Sequence, residues 1–359
     1  MECLRILAMF CICFWHVVVH SGTPVFDEQY PITFNYVASQ LACGVGKFGT
    51  NSFILLSGYF AVASVFKVSS IVRLWALTVF YSVTIFVILK LTGYVHFSWR
   101  AAVEVMFPIC FGQYWFVSCY FYLYLISPFL IIGMRCLSAK QHLVLVMVII
   151  TVWSLIPTLI IFPRTPNGMQ FSLFVWFVIM FITGAFFRLH PEYFKISNLK
   201  LFSIGVLCLL LFLAYVLFFD VLSHYTDRGL HLSDHMDRNN FFVVIGTMAS
   251  FVLFTKMRVA TGLSKYINAI SGCLIGFYMI HDNDYMRVLL MRDFINLRDY
   301  FENPVFIPYS IFLTIIIFVA GISVDYIRRI STMELRNKFY NKLKKYDPIV
   351  KEFIVSAYK

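Results

Sequence analysis

Charge is what this sequence has least of. Asp, Glu, Lys and Arg make up 13% of its 359 residues, about half the share typical of a soluble globular domain. Hydrophobic residues make up 60%, aromatics 19%, and the mean hydropathy is +0.81. A soluble chain is excluded, and a polytopic membrane protein is what such a composition describes.

Other absences narrow the chemistry. There is no phosphate-binding glycine loop, no HExxH helix and no GxSxG elbow, the usual sequence marks of nucleotide-binding loops, zinc proteases and serine hydrolases. The nine cysteines (Cys3, Cys11, Cys13, Cys43, Cys110, Cys119, Cys136, Cys208 and Cys273) lie in or beside apolar runs, with no paired framework in a loop. They read as small buried hydrophobes. Cys11 and Cys13 turn their thiols to different sides of a helix, so they form neither a redox pair nor a metal site. No soluble domain and no internal repeat stands out.

What is present is a series of apolar runs. Measured against the roughly 20 residues a membrane helix needs, runs lie near 4–20, 42–66, 74–92, 113–133, 143–162, 171–188, 201–222, 240–256, 267–289 and 305–327. The expectation is one all-α bundle of about ten transmembrane helices over residues 1–327, with a basic cytoplasmic tail over 328–359. The first run starts like a signal peptide, but Val18-Val19-His20-Ser21-Gly22 holds no small-residue cleavage site, so it is expected to stay as a helix.

With the N-terminus inside, twenty Lys and Arg fall in inner segments and eight in outer ones, which places both termini in the cytoplasm by the positive-inside rule. The tail carries nine basic residues against Glu334, Asp347 and Glu352. Attraction to anionic membrane lipids accounts for that excess. Nucleic acid is not an expected partner, because the basic residues flank helices instead of lining a groove with stacking aromatics.

An ionisable side chain inside an apolar run is costly unless something uses it. Arg5 and His16 share the first run, eleven positions apart. At about 100° and 1.5 Å per residue they occupy one helix face, roughly 16 Å apart along the axis. Arg5 is either an interfacial anchor or a cation at the mouth of a site. His16, in mid-segment and with an unperturbed pKa near 6.5, is a natural general base. His20, one turn on, is a second site group or a solvated helix end.

Lys47, in or near the second run, either has its charged form disfavoured by burial or pairs with a carboxylate, for which Glu104 is one candidate. The segment from Ser223 to Asn239 groups His224, His231 and His235 with Asp227, Asp234 and Asp237. No second ligand pair or Glu completes a zinc pattern, so no metal is expected, and a solvated loop that touches the substrate is the preferred reading. Tyr114, Trp115, Phe116, Tyr120, Tyr122 and Tyr124 can stack on a sugar, but core packing ranks first.

Four segments carry a family resemblance. They are Leu4-Arg5-Ile6-Leu7-Ala8-Met9-Phe10 leading to His16; Asn51-Ser52-Phe53-Ile54-Leu55-Leu56-Ser57-Gly58-Tyr59-Phe60; Tyr114-Trp115-Phe116-Val117 running on to Ser127-Pro128; and Gly276-Phe277-Tyr278-Met279-Ile280-His281. In this order they resemble the membrane acyltransferase-3 family, bacterial proteins of about ten helices that move acyl groups, most often acetyl, onto surface polysaccharides and related acceptors. The chain departs from the family at one point. Many members have an Arg-x-x-Arg pair after the second helix, where Lys67 and Arg73 stand six apart here.

The resemblance implies an O-acyltransferase of the bacterial cytoplasmic (inner) membrane that takes acetyl from cytoplasmic acetyl-CoA. The acceptor would be a hydroxyl of a surface polysaccharide or of its lipid-linked sugar repeat. It implies Arg5, Lys67 and Arg73 as cations for the cofactor phosphates, although Lys67 and Arg73 serve equally as topology signals. It implies His16 as general base or transient acyl carrier. His281 either orients the acceptor, supports the base, or is a polar helix end. The rival reading is a polysaccharide transporter, flippase or polymerase-like protein. Against it stand the lack of paired Gly/Pro-broken helices in two repeated halves and of any later counterpart to the Arg5–His16 face. The sequence carries no signal of oligomeric state.

Overall fold

Each of the ten apolar runs is mainly helical over its described residues in the computed structural model, which describes residues 1–160, 172–226 and 235–356, and no strand occurs among the described residues. The helices run in chain order α1 (Glu2–His20), α2 (Phe34–Ala61), α3 (Val68–Leu91), α4 (Trp99–Met106), α5 (Trp115–Cys136), α6 (Ala139–Leu159), α7 (Leu173–Leu189), α8 (Asn198–Thr226) and α9 (Phe241–Lys256). They continue as α10 (Thr261–Ser271), α11 (Leu274–His281), α12 (Phe306–Ser331), α13 (Met333–Leu343) and α14 (Asp347–Ser356).

Among the described residues, seven spans are long and apolar enough to cross a membrane: α1, α3, α5, α6, α8, α10 with α11, and α12. The other three expected helices differ in length or polarity. α7 and α9 are apolar but only 17 and 16 residues long. α2 has 28 residues but buries Asn35, Ser39, Gln40 and Asn51.

Those polar residues explain why α2 starts at Phe34, well before the expected 42. Thr33 caps the helix by accepting the Tyr36 N–H at 3.3 Å. Asn35 then donates to the carbonyls of Phe301 (2.7 Å) and Asn303 (2.9 Å), and Gln40 donates to Asp220 at 2.8 Å. Hydropathy counts these side chains against a span, yet the bundle gives their amide N–H groups internal acceptors.

The ninth run also deviates, because its helix stops at His281 instead of continuing to 289. Asn283 caps a new short turn, Asp284–Arg287, which leads into the π-helical Val288–Phe294.

Close backbone approach sets the packing. α1 lies chiefly on α2, and α2 on α7. A Cβ at Gly58 would strike the Phe181 carbonyl, and one at Gly184 would strike the Leu55 carbonyl. α2 and α7 therefore pass backbone to backbone, as small residues allow in membrane bundles. One apolar cluster gathers around Trp15, Phe212 and Phe277, and a second around Trp176, Phe177 and Phe181.

The basic residues after 327 fold back onto α3. Tyr340 is buried beneath the Arg73 guanidinium, which lies 4.2 Å from its ring centroid. The Asp347 carboxylate accepts the Ser69 N–H at 2.9 Å and its hydroxyl at 2.7 Å. An acid from the far end of the sequence thus caps the first turn of α3, where free N–H groups and the helix dipole favour negative charge.

Candidate active site

Positions 5, 9, 12, 16 and 20 of α1 fall on one helical stripe. His16 is buried, and its ring centroid lies 5.1 Å from that of the partly buried His20. His281, at the end of α11, is fully buried, and its Nε2 stands 3.2 Å from His16 Nδ1.

A carbonyl fixes the protons in this pair. The Phe277 carbonyl oxygen, which can only accept, is 2.9 Å from His281 Nδ1, so that nitrogen carries a hydrogen. With both rings neutral, His281 Nε2 is then an acceptor and His16 Nδ1 must be its donor. His16 Nε2 is left with a free lone pair. Asp282 Oδ1 lies 3.4 Å from the same His16 Nδ1 and 3.8 Å from Arg287. An imidazolium formed at His16 would therefore face a carboxylate.

The turn that holds these groups is built by Asn283. Its side-chain oxygen accepts the N–H groups of Tyr285 and Met286, and its amide donates to the Tyr114 hydroxyl at 2.8 Å. The His281 ring stacks on Phe277 at 4.3 Å between centroids, with Tyr278 edge-on at 5.9 Å.

Two cavities approach the pair from the Arg5 end of α1. The narrower, about 230 Å³, is walled by Arg5, Met9, Ile12, Phe116 and Tyr278 among others. It stops one turn of α1 short of His16, about 6 Å along the axis. The wider, about 470 Å³, is walled by Arg73, Arg328, Arg329 and Arg336, and no carboxylate lines it among the described residues. Leu74, Tyr120 and Ile275 stand in both walls, so the cavities adjoin.

A sequence profile described as an acyltransferase domain matches residues 1–324. The chain belongs to the membrane acyltransferase-3 family. No curated protein matches it, and no solved structure does. With its apolar helices, this acyltransferase-3 member is a multi-pass membrane protein.

Of the residues singled out in this acyltransferase-3 chain, His16, His20 and His281 come together, and Arg5 and Arg73 stand on adjoining cavities. Arg5 also pairs with Glu2 at 2.6 Å and lies over Phe60. Lys67 is exposed at the N-cap of α3 and is on neither wall; its N–H meets the Tyr124 hydroxyl at 3.1 Å. The expected Lys47–Glu104 pair does not form. Lys47 pairs with Asp237 at 3.5 Å, whereas Glu104 is taken by Arg100 at 2.8 Å, one turn earlier on α4.

His235 is not a solvated loop residue. It stacks on Phe219 at 4.1 Å and hydrogen-bonds the Tyr215 hydroxyl at 3.1 Å. His224 is exposed near the end of α8, and His231, Asp227 and Asp234 lie outside the described residues. The aromatics of α5 mostly pack, as with Phe116 on Phe177 at 5.1 Å, although Tyr120 and Tyr124 also wall the wide cavity.

One cluster went unread in the sequence. His16, His20 and Asp282 each present a ligand atom, all within 4.8 Å of one another. A cation there would occupy the free Nε2 lone pair of His16, since Nδ1 is engaged by His281. Asp282 and Arg287 also went unassigned, and the three arginines after residue 327 were read only as part of a lipid-attracting tail. The run Asp282-Asn283-Asp284 directly after His281 was the available signal for the first of these.

Proposed function

We propose that this acyltransferase takes acetyl from acetyl-CoA and passes it to a hydroxyl of a cell-surface polysaccharide or its lipid-linked repeat, with His16 as the base, in the bacterial cytoplasmic membrane. The observation that carries the reading is the relay from the Phe277 carbonyl through His281 to His16, which leaves His16 Nε2 ready to take a proton.

In the proposed step the acceptor hydroxyl gives its proton to His16 Nε2 as its oxygen attacks the thioester carbonyl carbon. The carbon–sulfur bond then breaks, and the imidazolium returns the proton to the coenzyme thiolate. His281 holds the ring of His16 in the required tautomer, and Asp282 stabilises the imidazolium. Arg287 stands beside the pair, 3.8 Å from Asp282, which suits it to the negative charge of a tetrahedral intermediate. The positive-inside pattern supports a cytoplasmic donor side.

The test is acetyl transfer in membranes. Proton NMR of surface polysaccharide incubated with acetyl-CoA should show new O-acetyl signals with the wild-type protein and none with His16→Ala at equal protein level. Wild-type membranes that leave the polysaccharide unmodified would overturn the acceptor. Trapping of an acetylated His16 would replace the base by an acyl carrier.

A further inference from the structure

The wide cavity holds the strongest unassigned feature of the molecule. Four arginines line it, and only Arg328 has a carboxylate partner among the described residues: its Nε donates to Asp325 at 2.7 Å, and Asp325 also accepts the Tyr81 hydroxyl at 2.6 Å. Arg73, Arg329 and Arg336 are left with uncompensated charge facing one space. Arg329 and Arg336 are partly buried and Arg73 is exposed, so their mutual repulsion is a cost that an anion bound among them would relieve.

Three of these arginines come from the end of α12 and from α13, beyond the 1–324 stretch that matches the family. The fold goes to some length to hold them. Gly272 leaves room for the Arg329 guanidinium, and Gly276 for the Asp325 carboxylate, since a Cβ at either would strike them. Arg336 donates to the Arg329 carbonyl at 3.3 Å. The buried Tyr340 and the Asp347 cap then fasten the segment to α3.

We infer that this segment is a phosphate clamp: Arg73, Arg329 and Arg336 bind the clustered phosphates of the acyl donor, and the residues beyond 324 complete its pocket. The inference rests on the acyl-CoA reading given above. Its chemistry is recognition of a dense phosphate group by guanidinium forks. An anionic lipid headgroup shares that chemistry, but two observations favour a nucleotide with a long arm. Tyr120 and Tyr124 offer aromatic faces in the same wall, and the cavity adjoins the narrower one that leads toward His16. A volume of about 470 Å³ is within the range of small-molecule sites.

The test uses the full chain in neutral-lipid nanodiscs and titrates free coenzyme A, which needs no acyl transfer to bind. Wild type should bind, and Arg329→Ala/Arg336→Ala should bind at least about tenfold more weakly. Asp347→Ala, which frees the segment without removing a guanidinium, should weaken binding in the same direction. Acetyl-pantetheine, which lacks the nucleotide phosphates, should serve wild type and double variant with the same KM. Equal coenzyme affinity in wild type and double variant overturns the clamp and leaves the acyltransferase reading intact. Absence of coenzyme binding to wild type overturns both. Loss of affinity for phosphatidylglycerol vesicles in the double variant, with coenzyme binding unchanged, assigns the arginines to lipid headgroups and also overturns the clamp.

Discussion

His16 and His281 meet nitrogen to nitrogen at 3.2 Å although 265 positions separate them. The contact joins the first span to the broken helix late in the chain, and it ties the tautomer of His16 to a helix carbonyl. Whichever proton Phe277 holds on His281 decides which nitrogen of His16 is free.

Substitutions at the two histidines should therefore differ in kind. His16→Ala is expected to lower kcat by about 10³-fold or more, the scale of losing a general base. His281→Ala should leave slower but measurable transfer, about 10- to 100-fold down, with an altered pH profile because nothing then sets the tautomer of His16. Rates across pH 5–9 with both variants would decide this. Identical losses and identical profiles would mean that the two rings act as one unit.

The general-base role also sets a sign for acid. His16 must be neutral to accept a proton, so the rate with wild type should fall as pH drops and the ring is protonated. A rate that instead rises toward acid pH would assign His16 the opposite task of proton donor.

The Lys47–Asp237 pair should be worth more intact than either half is alone. Its side chains are only 18% and 19% exposed, so losing Asp237 leaves Lys47 as a poorly solvated charge, whereas losing Lys47 leaves Asp237 still paired with Arg238 at 3.0 Å. Asp237→Asn should lower stability by about 1–3 kcal/mol and Lys47→Met by less, with partial recovery in the double variant. Thermal unfolding in detergent reads this directly, and strict additivity would show that the pair is uncoupled.

At the α2–α7 crossing there is no room for a methyl group. Gly58→Ala and Gly184→Ala each drive a Cβ into a backbone carbonyl of the facing helix. Either change should cost about 1–3 kcal/mol or more through forced separation of the helices. Reduced folded protein in membranes is the expected result, whereas a normal level of active protein would contradict the close crossing.

The His16, His20 and Asp282 cluster offers three donors within 4.8 Å. On the base reading, dialysis against a chelator should leave activity unchanged, and His20→Ala should keep most of it. Activity lost to the chelator and restored by one divalent metal would recast His16 as a ligand.

Much of this arrangement was visible in the sequence, for reasons that can be stated residue by residue. His16 stood out because a titratable ring in an apolar run is expensive, and His281 because of the segment that precedes it. Their contact was not legible, since a single sequence gives no signal of which helices pack across 265 positions. The start of α2 was misplaced because hydropathy reads Asn35, Ser39 and Gln40 as loop, while the bundle supplies them with partners. Glu104 was offered to Lys47 although Arg100, four residues away on the same helix, satisfies it locally. That Arg328, Arg329 and Arg336 wall a cavity was not legible, because charge alone does not tell a surface from a cavity wall.

The Asp347 cap on Ser69 spans 278 positions, and this distance matters during biogenesis. α3 is made early, and until residue 347 is made its first turn lacks that acid and the wide cavity lacks one wall. A nascent chain already threaded into the membrane would thus hold the histidine pair and the narrower cavity before the arginine-lined one is closed. On the clamp proposal, tight donor capture would be a property of the nearly finished polypeptide, a built-in delay between insertion and turnover.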